Sequence, residues 1–144
     1  MGTFEVFDHT ADVGFLFRAM SLPDLLETAA RAVFGVMLLD MPQEVVRQEK
    51  VEVTCEASVA DDLGELLVDW LQELLFRFET GRWAPIRFAF EEARAGRAVA
   101  QVGFGLFDPK RHRTGPEVKA VTYHQLSVRH EADGTWSARL IIDI

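Results

Sequence analysis

Two acidic residues at opposite ends of the chain are the first candidates for chemistry. Asp12 lies in Asp8-His9-Thr10-Ala11-Asp12-Val13-Gly14, a polar segment between two apolar stretches, where the chain must turn. Strand ends and turns often carry functional groups, although Asp and Thr also cap backbone donors there, and a plain turn suits the same residues. Asp143 is the only acid in the closing run Leu140-Ile141-Ile142-Asp143-Ile144, so a side-chain carboxylate and a terminal carboxylate fall within two residues. If the last strand docks beside the first, these groups can meet Asp12. Three carboxylates repel unless a counter-charge is present. A hard cation such as Ca²⁺, Mg²⁺ or Mn²⁺, bound through oxygen, answers that need. The competing reading is that Asp143 simply ends its strand in solvent.

A third segment is Glu117-Val118-Lys119-Ala120-Val121-Thr122-Tyr123-His124. Lys119 opens a strand after the locally basic loop 108–116, which could meet a phosphate, an acidic surface or only solvent. His124 is in phase with Val118, Ala120, Leu126 and Val128, the pattern of a satisfied sheet histidine. Cys55, the only cysteine, excludes an intrachain disulfide and is expected to be a buried, inert thiol. The chain has no Gly-rich phosphate cradle, no dinucleotide fingerprint, no zinc spacing and no Gly-x-Ser-x-Gly elbow.

These residues need a scaffold. With 144 residues, 49% hydrophobic and 26% charged, the chain has the composition of one globular domain, expected to span 1–144. Its net charge of −8 argues against gripping nucleic acid unaided. No apolar run approaches the roughly 20 residues of a membrane span, and Met1–Asp8 lacks the basic residues of a secretory signal. A cytoplasmic protein without a membrane role is expected.

Thr3–Phe7 and Val13–Ala19 read as strands. Ser21, three before Asp24, opens a helix with the buried stripe Leu22, Leu25, Leu26, Ala29, Val33, Phe34 and Met37. Asp40–Gln48 reads as a loop and Val51–Ala57 as a half-buried strand. Asp61 or Asp62 would cap a second helix carrying Leu63, Leu66, Leu67, Trp70, Leu71, Leu74, Leu75 and Phe78. Strands follow at Ile86–Glu92, Arg97–Leu106, Val118–His130 and Thr135–Ile142, the last joined through the hairpin signal Asp133-Gly134. The order ββαβαββββ predicts an α+β fold: one domain, a mostly antiparallel sheet, and two amphipathic helices packed on one face.

The stretches Asp8–Gly14, Leu63–Leu71, Gly103–Pro109, Glu117–His124 and Ile142-Asp143-Ile144 together resemble the archease family, in family order and across essentially the whole chain. The resemblance implies a protein cofactor, not an enzyme, for the GTP-dependent RNA-splicing ligase. That ligase seals RNA ends bearing a 3′-phosphate or cyclic phosphate in tRNA splicing and RNA repair. The cofactor promotes ligase guanylylation and multiple turnover, and meets RNA only through the ligase. The resemblance also implies a divalent metal, typically Ca²⁺, on Asp12, Asp143 and the Ile144 terminus. Asp8 and His9 would shape that site, and Lys119 would lie on the surface offered to the ligase. Two other classes fit less well: a chaperone-like binding module for RNA-processing proteins, and a metal-dependent hydrolase of a small phosphorylated molecule.

Overall fold

The computed structural model describes residues 2–9, 12–55 and 63–144. Seven strands and two helices follow in the order β1 (Thr3–His9), β2 (Asp12–Ala19), α1 (Leu22–Met37), β3 (Arg47–Thr54), α2 (Leu63–Gly81), β4 (Trp83–Arg94), β5 (Arg97–Leu106), β6 (Ala120–His130) and β7 (Trp136–Asp143). The fold is α+β and every strand pairing is antiparallel. The strands divide into two sheets, ordered β1-β2-β7-β6 and β3-β5-β4. Each helix packs against strands of both sheets, so the helices lie on one face of each.

Local patterning explains most of this. In β2, Phe15, Phe17 and Ala19 are buried while Leu16 and Arg18 point outward, the two-residue alternation of a sheet with one covered face. The Ser21 side chain accepts the Asp24 amide at 3.2 Å and starts α1, with Pro23 in its first turn, where the missing N–H costs nothing. The Asp24 carboxylate reaches back to the amides of Gly2 and Met20 at 2.9 and 3.0 Å, tying the chain start to the helix. Around α1 the small residues Ala29, Ala30 and Ala32 are buried as well as the large ones, which lets two sheets approach one helix. On α2, Trp70 is fully buried; its ring lies 6.2 Å from Phe88 and 5.2 Å from Phe90, and its indole N–H donates to the Leu26 carbonyl at 3.0 Å. That bond satisfies the one polar atom of a large apolar side chain.

Three expectations change. The expected loop 40–48 gives way to strand at Arg47, and β3 ends at Thr54. Cys55 is therefore not a fully buried strand residue: it is half-buried just past the strand, its amide still donating to the Gly96 carbonyl at 2.9 Å. His124 is not in phase with a regular strand. Between the pairs Thr122–Ile141 and Ser127–Arg139, five residue steps on β6 answer two on β7. Gln125 takes a left-handed φ of 55° in this bulge, and His124 is exposed. The suggested caps Asp61 and Asp62 lie outside the described residues.

The basic loop is clasped to the end of α1. Arg113 grips the Asp40 carboxylate with two nitrogens, at 2.9 and 3.1 Å, and adds its own amide at 2.8 Å. These bonds hold the Asp40 carboxyl down from its ordinary 3.8 to about 2, and raise the Arg113 guanidinium in turn. Part of the loop's positive charge is thus already used.

Candidate functional site at the β2–β7 seam

β7 docks beside β2, not beside β1, and its register sets Asp12 directly opposite Asp143. Residues directly opposite in an antiparallel pair project from the same face, with Cβ atoms about 4.5–5.5 Å apart. The next pair, Val13 and Ile142, turns to the helices, and Ile142 is fully buried. The two acids therefore leave on the face away from the helices, and both are half-buried.

The other side of Asp143 is occupied by the start of β6. Ala120 pairs with Asp143, and the Lys119 amide donates to the Asp143 carbonyl at 2.8 Å. Lys119 is exposed. Ile144 follows Asp143 and packs, partly buried, against the core. The sheet thus gathers Asp12, Lys119, Asp143 and Ile144 at one end, although the chain separates the first from the rest by most of its length. The backbone of Asp8 and His9 closes β1, with His9 opposite Asp12; the side chains of both lie outside the described residues.

Next along this face the seam is built by a residue that motif reading passes over. Phe7 lies flat on Gly14: a Cβ at that glycine would sit 2.1 Å from the Phe7 ring. The Arg139 guanidinium stacks over the same ring, 4.8 Å from its centre, and donates to the Gln125 side chain at 3.0 Å. A glycine inside an otherwise apolar strand, Val13-Gly14-Phe15, is the signal for such a close approach.

Chemically, two like charges directly opposite each other repel, and a cation beside them would offset that repulsion. Among the described residues no group of three or more His, Cys, Asp and Glu side chains could hold a metal ion. Two carboxylates are present, so a third protein donor would have to come from outside that set, and Ile144 is adjacent in sequence. An all-oxygen donor set of this kind suits a hard divalent ion and not zinc, which prefers nitrogen and sulfur.

Known proteins give this arrangement its context. Residues 4–144 match the Archease protein family (MTH1598/TM1083). The chain is 38% identical over 145 residues to a protein archease of Methanosarcina acetivorans, covering 98% of this chain and 95% of that one. It is 40% identical over 143 residues to a protein archease of Methanopyrus kandleri, covering 97% and 98%. The solution structure of Methanobacterium thermoautotrophicum protein 1598 superposes with a TM-score of 0.74 at 34% identity, covering 98% of both chains. With the family matched over nearly the full length and the fold shared, the chain belongs to the archease family.

Proposed function

We propose that this protein is a cytoplasmic, non-catalytic activator of the GTP-dependent RNA-splicing ligase, promoting ligase guanylylation and multiple turnover in tRNA splicing and RNA repair. Family membership supports the partner, and the observation that carries the site is the register that sets Asp12 opposite Asp143. Asp12, Asp143 and the Ile144 carboxylate would hold a divalent ion, Ca²⁺ first, with Mg²⁺ or Mn²⁺ as alternatives. When bound, such an ion supplies positive charge that can meet phosphate oxygens. The chain's own residues do the rest. The β2–β7 ladder fixes the two carboxylates, and the exposed Lys119 is tied to the Asp143 backbone by its amide. Asp8 and His9 close the strand next to Asp12 and would orient the acids. The molecule docks through this end of the sheet onto the ligase and meets RNA only through it.

The test is ligase guanylylation at limiting metal, with and without this protein. Wild type should stimulate the reaction. Asp12→Ala and Asp143→Ala should abolish stimulation with an unchanged circular dichroism spectrum, and Lys119→Ala should weaken it. Full stimulation by both acid variants defeats the metal reading, and no stimulation by wild type defeats the ligase reading. Binding to RNA-processing proteins that ignores both chelator and Asp143→Ala would instead mark a chaperone-like module.

A further inference from the structure

We propose that β1 is a self-association edge, and that two copies of this chain pair their β1 strands antiparallel to form one eight-stranded sheet. Four strands sit at sheet edges: β1 and β6 in one sheet, β3 and β4 in the other. Natural edges are usually guarded by bulges, proline or charge. β6 is interrupted by the bulge at 122–127. β4 carries Pro85 and two register shifts. β3 alternates charge through Arg47, Glu49, Lys50 and Glu52. β1 carries charge only at Glu5 and Asp8 and has neither bulge nor proline. It runs for seven residues in unbroken register with β2, without lysine, arginine or proline, and among the described residues no strand pairs with its far side.

The strand also exposes apolar area on its helix-facing side. Phe4 and Val6 are 45% and 52% exposed, and the Phe4 ring meets Phe15 edge-on at 6.1 Å and Phe17 at a tilt at 6.3 Å. A second β1 would cover both side chains and satisfy the open row of amides and carbonyls.

Charge selects the occupant and the register. A two-fold axis perpendicular to the sheet keeps helix-facing residues on one side, so it must pass through a residue position. Through Glu5 it would set the two Glu5 carboxylates against each other. Through Phe7 it would pair only five residues and leave Phe4 uncovered. Through Val6, the midpoint of the strand, all seven residues pair and no acid opposes another. Glu5 of one copy then falls opposite Phe7 of the other, whose ring already carries the Arg139 guanidinium at 4.8 Å. Each interface would thus hold two Glu5–Arg139 attractions related by symmetry.

Sedimentation velocity from micromolar to near-millimolar protein tests this. Wild type should pass from the 16.3 kDa chain to twice that mass. Val6→Lys, which sets two ammonium groups across the axis, should remain monomeric, while Leu39→Lys, at an apolar position that is 58% exposed elsewhere, should dimerise as wild type does. Glu5→Arg and Arg139→Glu should each weaken the dimer at least tenfold, and the double variant should restore it. A wild type that is monomeric throughout, a dimer indifferent to Val6→Lys, or a charge swap without rescue overturns the proposal.

Discussion

Asp143→Asn offers the sharpest test of the seam, because its effect should change sign with the buffer. Asp143 lies opposite Asp12, so their Cβ atoms sit about 5 Å apart, and the carboxylates they carry are taken at a similar separation. Two unit charges at that distance repel by about 0.8 kcal/mol with water-like screening, and like-charged cross-strand pairs fall in the same range of about 0.2–1 kcal/mol. In chelator, removing one charge should therefore stabilise the fold. For a domain of this size the gain is about 2–3 °C in Tm. A cation that binds only the folded state works the other way. At about a hundred times its Kd it adds roughly 2.7 kcal/mol, or about 8–10 °C. Wild type should collect that gain and Asp143→Asn should lose most of it. Thermal melts of both proteins, in chelator and in excess Ca²⁺, should therefore cross: variant above wild type without the ion, below it with the ion. The same order in both buffers, or a wild-type Tm indifferent to Ca²⁺, Mg²⁺ and Mn²⁺, would refute the reasoning.

Three further outcomes follow from the scaffold. Trp70→Ala should cost about 3–5 kcal/mol, read as a lower urea midpoint with an unchanged slope, because a fully buried indole and its bond to the Leu26 carbonyl are both lost. Gly14→Ala should cost about 1–3 kcal/mol, since the new methyl overlaps the Phe7 ring, and Phe7→Ala in the same chain should recover part of that loss. Asp40 has a folded value near 2, below its ordinary 3.8, so its contribution to stability is present above the ordinary value and lost as pH falls toward 2. A carboxyl NMR titration should show Asp40 ionising near 2, and Arg113→Ala should return it toward the ordinary range.

Local chemistry carried much of the fold into the sequence. The stripes of α1 and α2 come from side chains three and four apart, and two of the hairpins turn at Gly96 and at Asp133-Gly134, where the glycines adopt φ of 86° and 90°. Such signals need only neighbouring residues. What the pattern could not convey is which strand lies beside which. Strand alternation looks the same whether seven strands form one sheet or two, and β7 beside β2 is a tertiary choice. The β6 bulge was equally silent: Gln125 has no special liking for its left-handed φ, and the interruption is a property of the pairing with β7. The acids at the seam were visible as chemistry, and the family resemblance joined them, but the sequence alone could not place them face to face.

That placement rests on the core. A strand's side chains alternate with period two, so slipping β7 by one residue on β2 would turn Asp143 toward the helices and set Ile142 beside Asp12. The pairs that forbid the slip lie on the other face: Val13 with Ile142, Phe15 with Leu140 and Phe17 with Ala138. Phe15, Leu140 and Ile142 are fully buried, and the rings of Phe15 and Phe17 stack at 5.5 Å. Exposing that set would cost about 1.5–3 kcal/mol for each large side chain, several times the repulsion of about 0.8 kcal/mol between the two carboxylates. Packing therefore wins, and the sheet can hold two like charges together without an ion. The register that sets the two acids face to face is secured by hydrophobic residues on the opposite face of the sheet, none of which the proposed ion would touch.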